Sequence, residues 1–191
     1  MARTREFDEQ KALKKAMTLF RRQGYKATSL AALLKTMGLS RSSFYETFGS
    51  KRELFLSTLE LFGKTGAIYN FVDSNSAEPA KLMFAQIFAR VVASAIEGQG
   101  GCMFGNCAIE FATSDKEVSD QISQGLSELE SLFIALIEAG QAKGDVAKDK
   151  DVKAIAAHLM ATFYGIQTMA KAGVELSTLK PVIAQTLRQL D

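Results

Sequence analysis

The sequence predicts an all-α protein of about nine helices, a small head of residues 1–52 on a larger body of residues 53–191. Apolar residues recur at helical spacing along most of the chain. Proline occurs only at Pro79 and Pro181, and no alternating β-branched run flanked by turns is present. Four helix starts crowd the first fifty or so residues, whereas the later stripes are long.

The first helix spans Glu9 to Gln23, where Leu13, Ala16, Met17 and Phe20 form one apolar stripe before Gly24 stops it. Thr28 or Ser29 caps a second, short helix carrying Leu30, Leu33 and Leu34, which Gly38 ends. Ser40 caps a third, from Arg41 to about Phe48, and Gly49 closes it. Ser50-Lys51-Arg52-Glu53 opens a fourth as a capping box, in which Ser and Glu are expected to satisfy each other's orphan amides. A fifth is expected from Ser76 to about Glu97, with Pro79 in its first turn. The glycine-rich break at 98–101 precedes a short segment, Cys102 to Ala112. Lys116 to Lys143 carries Val118, Ile122, Leu126, Leu129, Phe133, Leu136 and Ile137 on one stripe, and Gly144-Asp145 breaks it. Val152, Ile155, Ala156, Leu159, Phe163, Ile166 and Ala170 mark the next helix, which Gly173 ends. Leu179, Ile183, Thr186, Leu187 and Leu190 mark the last.

A net charge of only +2 hides a strong asymmetry. Residues 1–52 hold 12 Lys and Arg against 4 Asp and Glu; the remainder holds 11 against 17. The head is therefore +8 and the body −6. A cationic segment of this kind suits a polyanion, because lysine and arginine release the counterions condensed on phosphates. A solvated basic face without a partner would have the same composition. The hydrophobic fraction of 47 % and charged fraction of 23 % are those of a globular protein. No apolar run approaches the roughly 18–20 residues of a membrane span, and the first thirty residues do not resemble a secretory signal. The chain is expected to stay in the cytoplasm, with both cysteines as thiols.

The most informative segment is Ser29 to Phe48. Two short helices flank Met37-Gly38-Leu39-Ser40, where glycine allows the left-handed backbone of a tight turn and Leu39 is placed to plug the gap. Phe44 and Phe48 are expected to point inward. The other face then exposes Arg41, Ser42, Ser43, Tyr45 and Glu46 at the start of a helix, which suits insertion into a major groove.

Here the sequence resembles the tetracycline-repressor (TetR) family of bacterial regulators. The resemblance is carried by Gly24-Tyr25, Ala27-Thr28-Ser29-Leu30, Gly38-Leu39-Ser40, Phe44-Tyr45, Phe48 and Ser50-Lys51-Arg52-Glu53-Leu54. It is dense over about residues 9–60 and only architectural beyond them. It implies a double-stranded DNA operator as partner, read by Arg41, Ser42 and Ser43 at base edges, with Ser29, Tyr45 and Lys51 on phosphates. Ser29 and Ser50 would also be caps in a protein that never met DNA. Glu46 departs from the family's pattern; it either accepts from cytosine N4 or points away, and the second is favoured.

For the body, the resemblance implies a homodimer and a small-molecule effector. Its last two helices, 151–172 and 177–190, are the family's usual dimerisation pair. Leu159, Phe163, Ile166, Met169, Val182, Ile183, Leu187 and Leu190 are the candidate interface, although an internal core would use the same residues. Nine of the 13 phenylalanines lie beyond residue 52, and such an interior either surrounds a largely apolar ligand or is plain core. Phe104, Asn106, Cys107 and Glu110 are the pocket candidates from the short helix. Phe84, Phe88, Phe133, Phe163, Tyr164 and Gln167 join them from neighbouring helices. Cys102 and Cys107 read as inert buried thiols, with a sensing thiol as the alternative. Two thiols and a lone His158 make a metal site improbable, and His158 reads as an interface or core residue. No cofactor is expected. No phosphate loop or nucleophile triad is found, so an enzyme is not expected either. A helical protein–protein adaptor is the remaining alternative. The leading expectation is a ligand-responsive repressor whose fourth helix, with Gly63 and Gly66 near its end, swings when ligand binds.

Overall fold

The computed structural model describes residues 7–65, 68, 71–72, 77–111 and 115–191, with the backbone alone for Ile109. All regular structure among the described residues is helical. Its helices are α1 (Glu9–Gln23), α2 (Leu30–Met37), α3 (Arg41–Phe48), α4 (Lys51–Lys64), α5 (Ala80–Ile96), α6 (Met103–Phe111), α7 (Lys116–Lys143), α8 (Val152–Lys171) and α9 (Leu176–Leu187). A 3-10 turn, Arg188–Leu190, follows. The chain divides into two compact units: residues 1–64 with 102–122, and residues 65–101 with 123–191.

In the first unit each of the first four helices starts on a side-chain oxygen from the residue just before it. Asp8 accepts from the Lys11 amide (3.0 Å), Ser29 from Ala32 (3.1 Å), Ser40 from Ser43 (3.2 Å) and Ser50 from Glu53 (3.1 Å). Of the two expected caps for α2, Ser29 takes the role; buried Thr28 instead donates to the Gly24 carbonyl. The reciprocal half of the capping box takes another form. The Ser50 N–H donates to the Phe48 carbonyl, and the Glu53 carboxylate lies against Gly49, where φ is +69° and any Cβ would sit 2.2 Å from Oε2.

The core of this unit joins Ala12, Ala16 and Phe20 of α1 to Leu33, Phe44, Phe48, Leu54, Phe55 and Leu59, with Met103, Cys107 and Phe111 from α6. The α1 stripe is centred on Ala12-Ala16-Phe20, with Leu13 and Met17 at its edge. Phe20, Tyr25, Phe55 and Phe111 form a ring cluster with centroids 4.8–6.0 Å apart.

In the second unit, α5 packs on α8 and α9. Phe84, Phe133, Phe163 and Phe88 interlock at its centre: Phe84 meets Phe133 edge-on at 5.0 Å, and Phe133 meets Phe163 at 5.9 Å. The start of α5 differs from the sequence expectation. The helix begins at Ala80, with Pro79 in the capping position at ψ 143° rather than inside the first turn. The cap comes from Asp145, whose Oδ2 accepts the Ala80 amide at 2.8 Å from 65 residues away. The expected starting residue, Ser76, lies outside the described residues, as do Gly66 and the expected end of the short segment at Ala112.

Candidate nucleic-acid interface

Helix α3 is amphipathic over only eight residues, and its two faces are cleanly separated. Phe44 and Phe48 are buried, the first completely. Arg41, Ser42, Tyr45 and Glu46 are exposed and Ser43 is half-buried. Gly38, left-handed at φ 75°, ψ 35°, closes α2 and leaves only Leu39 and Ser40 before α3 begins. Ser40 does more than cap: its Oγ lies 3.1 Å from Ser42 Oγ and 2.9 Å from Ser43 Oγ, linking three hydroxyls at the helix N-terminus. Tyr45 is 48 % exposed, and its ring stands edge-on to Phe44 at 5.4 Å. Arginine, serine and tyrosine side chains are of the kind that can donate to base edges and phosphates.

Ser29 and Lys51 lie at two further helix starts. Ser29 is exposed at the α2 cap. Lys51, the first residue of α4, is half-buried, with its Nζ 4.2 Å from the centre of the Tyr25 ring. Burial pulls the Lys51 ammonium below its ordinary pKa, and the Glu110 carboxylate opposes that pull. A helix N-terminus already attracts anions, and an ammonium beside it adds to that attraction.

Arg52, next in sequence, is engaged differently. Its Nε donates to Asp115 at 2.7 Å and its Nη2 to Asp115 at 2.9 Å and Glu117 at 2.7 Å. These bonds raise the guanidinium pKa and hold the Asp115 carboxyl at about 2. This fork is one that sequence reasoning missed, because its partners lie 63 and 65 residues away.

The residues of α6 named from sequence as pocket candidates have partners on other elements of the first unit. Phe104 meets Phe62 edge-on at 5.2 Å, and Gly63 lies close by. Asn106 donates to the Arg21 carbonyl at 3.2 Å, Glu110 Oε2 accepts the Tyr25 amide at 2.9 Å, and Cys107 is buried. Cys102 is half-buried, and neither cysteine is in a disulfide. Within the second unit Phe84, Phe88, Phe133 and Phe163 are fully buried, Gln167 is 2 % exposed and Tyr164 half-buried.

Of the residues named for an interface between copies, Leu159, Phe163, Ile166, Leu187 and Leu190 are buried within the second unit itself. Met169 and Val182 are exposed, and Ile183 is half-buried. His158, read from sequence as interface or core, is exposed. Among the described residues no three His, Cys, Asp or Glu side chains are grouped as a metal would need, and no helix is long and apolar enough to cross a membrane.

Residues 12–58 match the domain family described as bacterial regulatory proteins, tetR family, and residues 83–184 match the tetracyclin repressor-like C-terminal domain. The chain belongs to the TetR family. As a member it is a DNA-binding transcriptional regulator, not an enzyme. It is similar over 99 % of its length to a cysteine-substituted variant of the TetR-family regulator CifR, solved with a 26-bp double-strand operator DNA. That likeness has 31 % identity, a TM-score of 0.84 and covers all of the CifR chain. It is 29 % identical to the HTH-type transcriptional regulator YezE of Bacillus subtilis (strain 168), with both chains covered in full. It is also 27 % identical to the HTH-type transcriptional repressor ComR of Escherichia coli (strain K12), over 97 % of this chain and 90 % of that one.

Proposed function

We propose that this TetR-family protein is a homodimeric repressor, released from its operator when a small, largely apolar molecule binds its body. In this reading residues 1–52 form the DNA-binding domain, and residues 53–191 bind the effector and dimerise. Arg41, Ser42 and Ser43 contact base edges, while Ser29, Tyr45 and Lys51 hold phosphates. The observation that carries the reading is the polarity of α3: Arg41, Ser42 and Tyr45 are exposed and Ser43 is half-buried beside them, on a helix anchored by fully buried Phe44. Support for repression comes from ComR, a repressor, and support for operator binding from the CifR complex.

One short reader needs a partner copy to reach two half-sites about 34–36 Å apart. Helix α8 supports dimerisation with its exposed face, where Ala154, Ala157, Ala161 and Gly165 repeat at helical spacing ahead of exposed Met169. Such small side chains allow two helices to approach closely. On α9, exposed Val182 extends the apolar surface. Effector binding falls to the aromatic interior of the second unit, lined by Phe84, Phe88, Phe133, Phe163, Tyr164 and Gln167.

Fluorescence anisotropy on DNA upstream of the protein's own gene tests this. Expected is salt-dependent, sequence-specific binding by a dimer, which Arg41→Ala weakens about 5- to 150-fold per half-site, the worth of one bidentate guanine contact. Binding indifferent to sequence and salt, or a monomer at every concentration in sedimentation, would overturn it.

A further inference from the structure

Three observations within the first unit converge on Tyr25. Its backbone N–H is held by Glu110 Oε2 at 2.9 Å. Its ring lies 4.8 Å from Phe55, 5.2 Å from Phe111 and 6.0 Å from Phe20, so three neighbours fix its plane. The Lys51 ammonium stands 4.2 Å from the centre of that ring. The Glu110 carboxylate reaches Tyr25 because residue 24 is glycine: at φ +82°, a Cβ there would lie 2.6 Å from Glu110 Oε1. Any other side chain would push the carboxylate away.

A free lysine on a helix start samples many rotamers, and ordering it against a phosphate costs much of what the contact yields. An ammonium already resting over a ring face has lost most of that freedom before DNA arrives. We propose that Tyr25 is a positioning residue for phosphate binding: its ring pre-orders Lys51, and Glu110 of α6 fixes the ring. This rests on the reading of Lys51 as a phosphate contact and adds two residues to it that touch no nucleic acid themselves.

The test uses the full-length protein and a labelled non-specific duplex across a salt series, because phosphate contacts act on any sequence. Lys51→Ala is expected to reduce the slope of log affinity against log salt by about one per bound subunit. Tyr25→Phe keeps the ring and is expected to bind as the wild type does. Tyr25→Leu is expected to weaken binding about three- to tenfold and to add almost nothing when Lys51 is already alanine. A Tyr25→Leu loss that adds in full to that of Lys51→Ala would mean a merely structural role and overturn the proposal. A slope unmoved by Lys51→Ala would instead sink the phosphate reading itself, and this inference with it.

A measurement on the unaltered protein guards against variants that fail to fold. The Lys51 ε-methylene protons, lying over a ring face, are expected upfield of an exposed lysine's. They should return toward the ordinary position in Glu110→Ala and much less in Glu110→Gln, which keeps an acceptor for the Tyr25 amide. An ordinary shift in the wild type would refute the arrangement.

Discussion

Helices α1 to α4 and helix α5 begin by the same physical device, an oxygen accepting an early amide, yet the oxygen comes from opposite ends of the distance scale. For α1 to α4 it belongs to Asp8, Ser29, Ser40 or Ser50, three residues before the amide it meets. For α5 it belongs to Asp145, which also follows the long helix α7. The contrast separates two kinds of information. The head writes its helix boundaries into neighbouring residues, whereas the body writes at least one into its tertiary packing. A cap drawn from afar holds only while both segments stay together, so α5 depends on folding in a way that α1 to α4 do not.

The sharpest way to break this comparison is to attack the first unit's core instead of its caps. Phe55→Ala removes a fully buried ring from the Phe20–Tyr25–Phe111 cluster and should cost about 3–5 kcal/mol in urea unfolding. A loss no larger than that of a single cap would mean that local signals alone hold the head. Next come the caps themselves. Ser40→Ala and Asp145→Ala should each cost about 0.5–2 kcal/mol, with Asp145→Asn restoring most of the second. Stability unchanged in Asp145→Ala would remove the remote cap from the account.

The smallest effect concerns the Arg52–Asp115 fork, which sits at the solvent boundary and is screened by salt. Asp115 is held at about 2 against an ordinary 3.8, so its contribution is present above about pH 4 and lost as pH falls toward 2. Urea midpoints measured between pH 4.5 and 2 should therefore decline less steeply in Arg52→Ala than in the wild type. Parallel declines would show that the fork does not couple to folding.

The helices were legible wherever capping and periodicity are local. The bounds of α1, α3 and α7 match the pattern of apolar residues and glycines, and the start of α2 only required a choice between Thr28 and Ser29. The start of α5 was misplaced because Asp145 has no sequence relation to Ala80. Periodicity also marks which side of a helix is apolar without saying what covers it. Leu159 and Phe163 on α8 are covered by the chain's own interior, while the face that remains open is the small one of Ala157, Ala161 and Gly165. For the candidate interface, exposure of Arg41 and Tyr45 followed from the inward-facing phenylalanines on the same short helix. The posts taken by Glu110, Asn106 and Arg52 did not, since each partner lies more than sixty residues away.

If Arg41, Ser42 and Ser43 meet base edges as proposed, the trio of linked hydroxyls at the head of α3 bears on which DNA sequences the protein tolerates. A serine hydroxyl rotates freely enough to give or take a hydrogen bond, so it meets any of the four bases without strong preference. Arginine has no such latitude, and its fork fits guanine. Operators gathered by selection from random pools should accordingly share one nearly invariant guanine in each half, flanked by two steps where identity drifts.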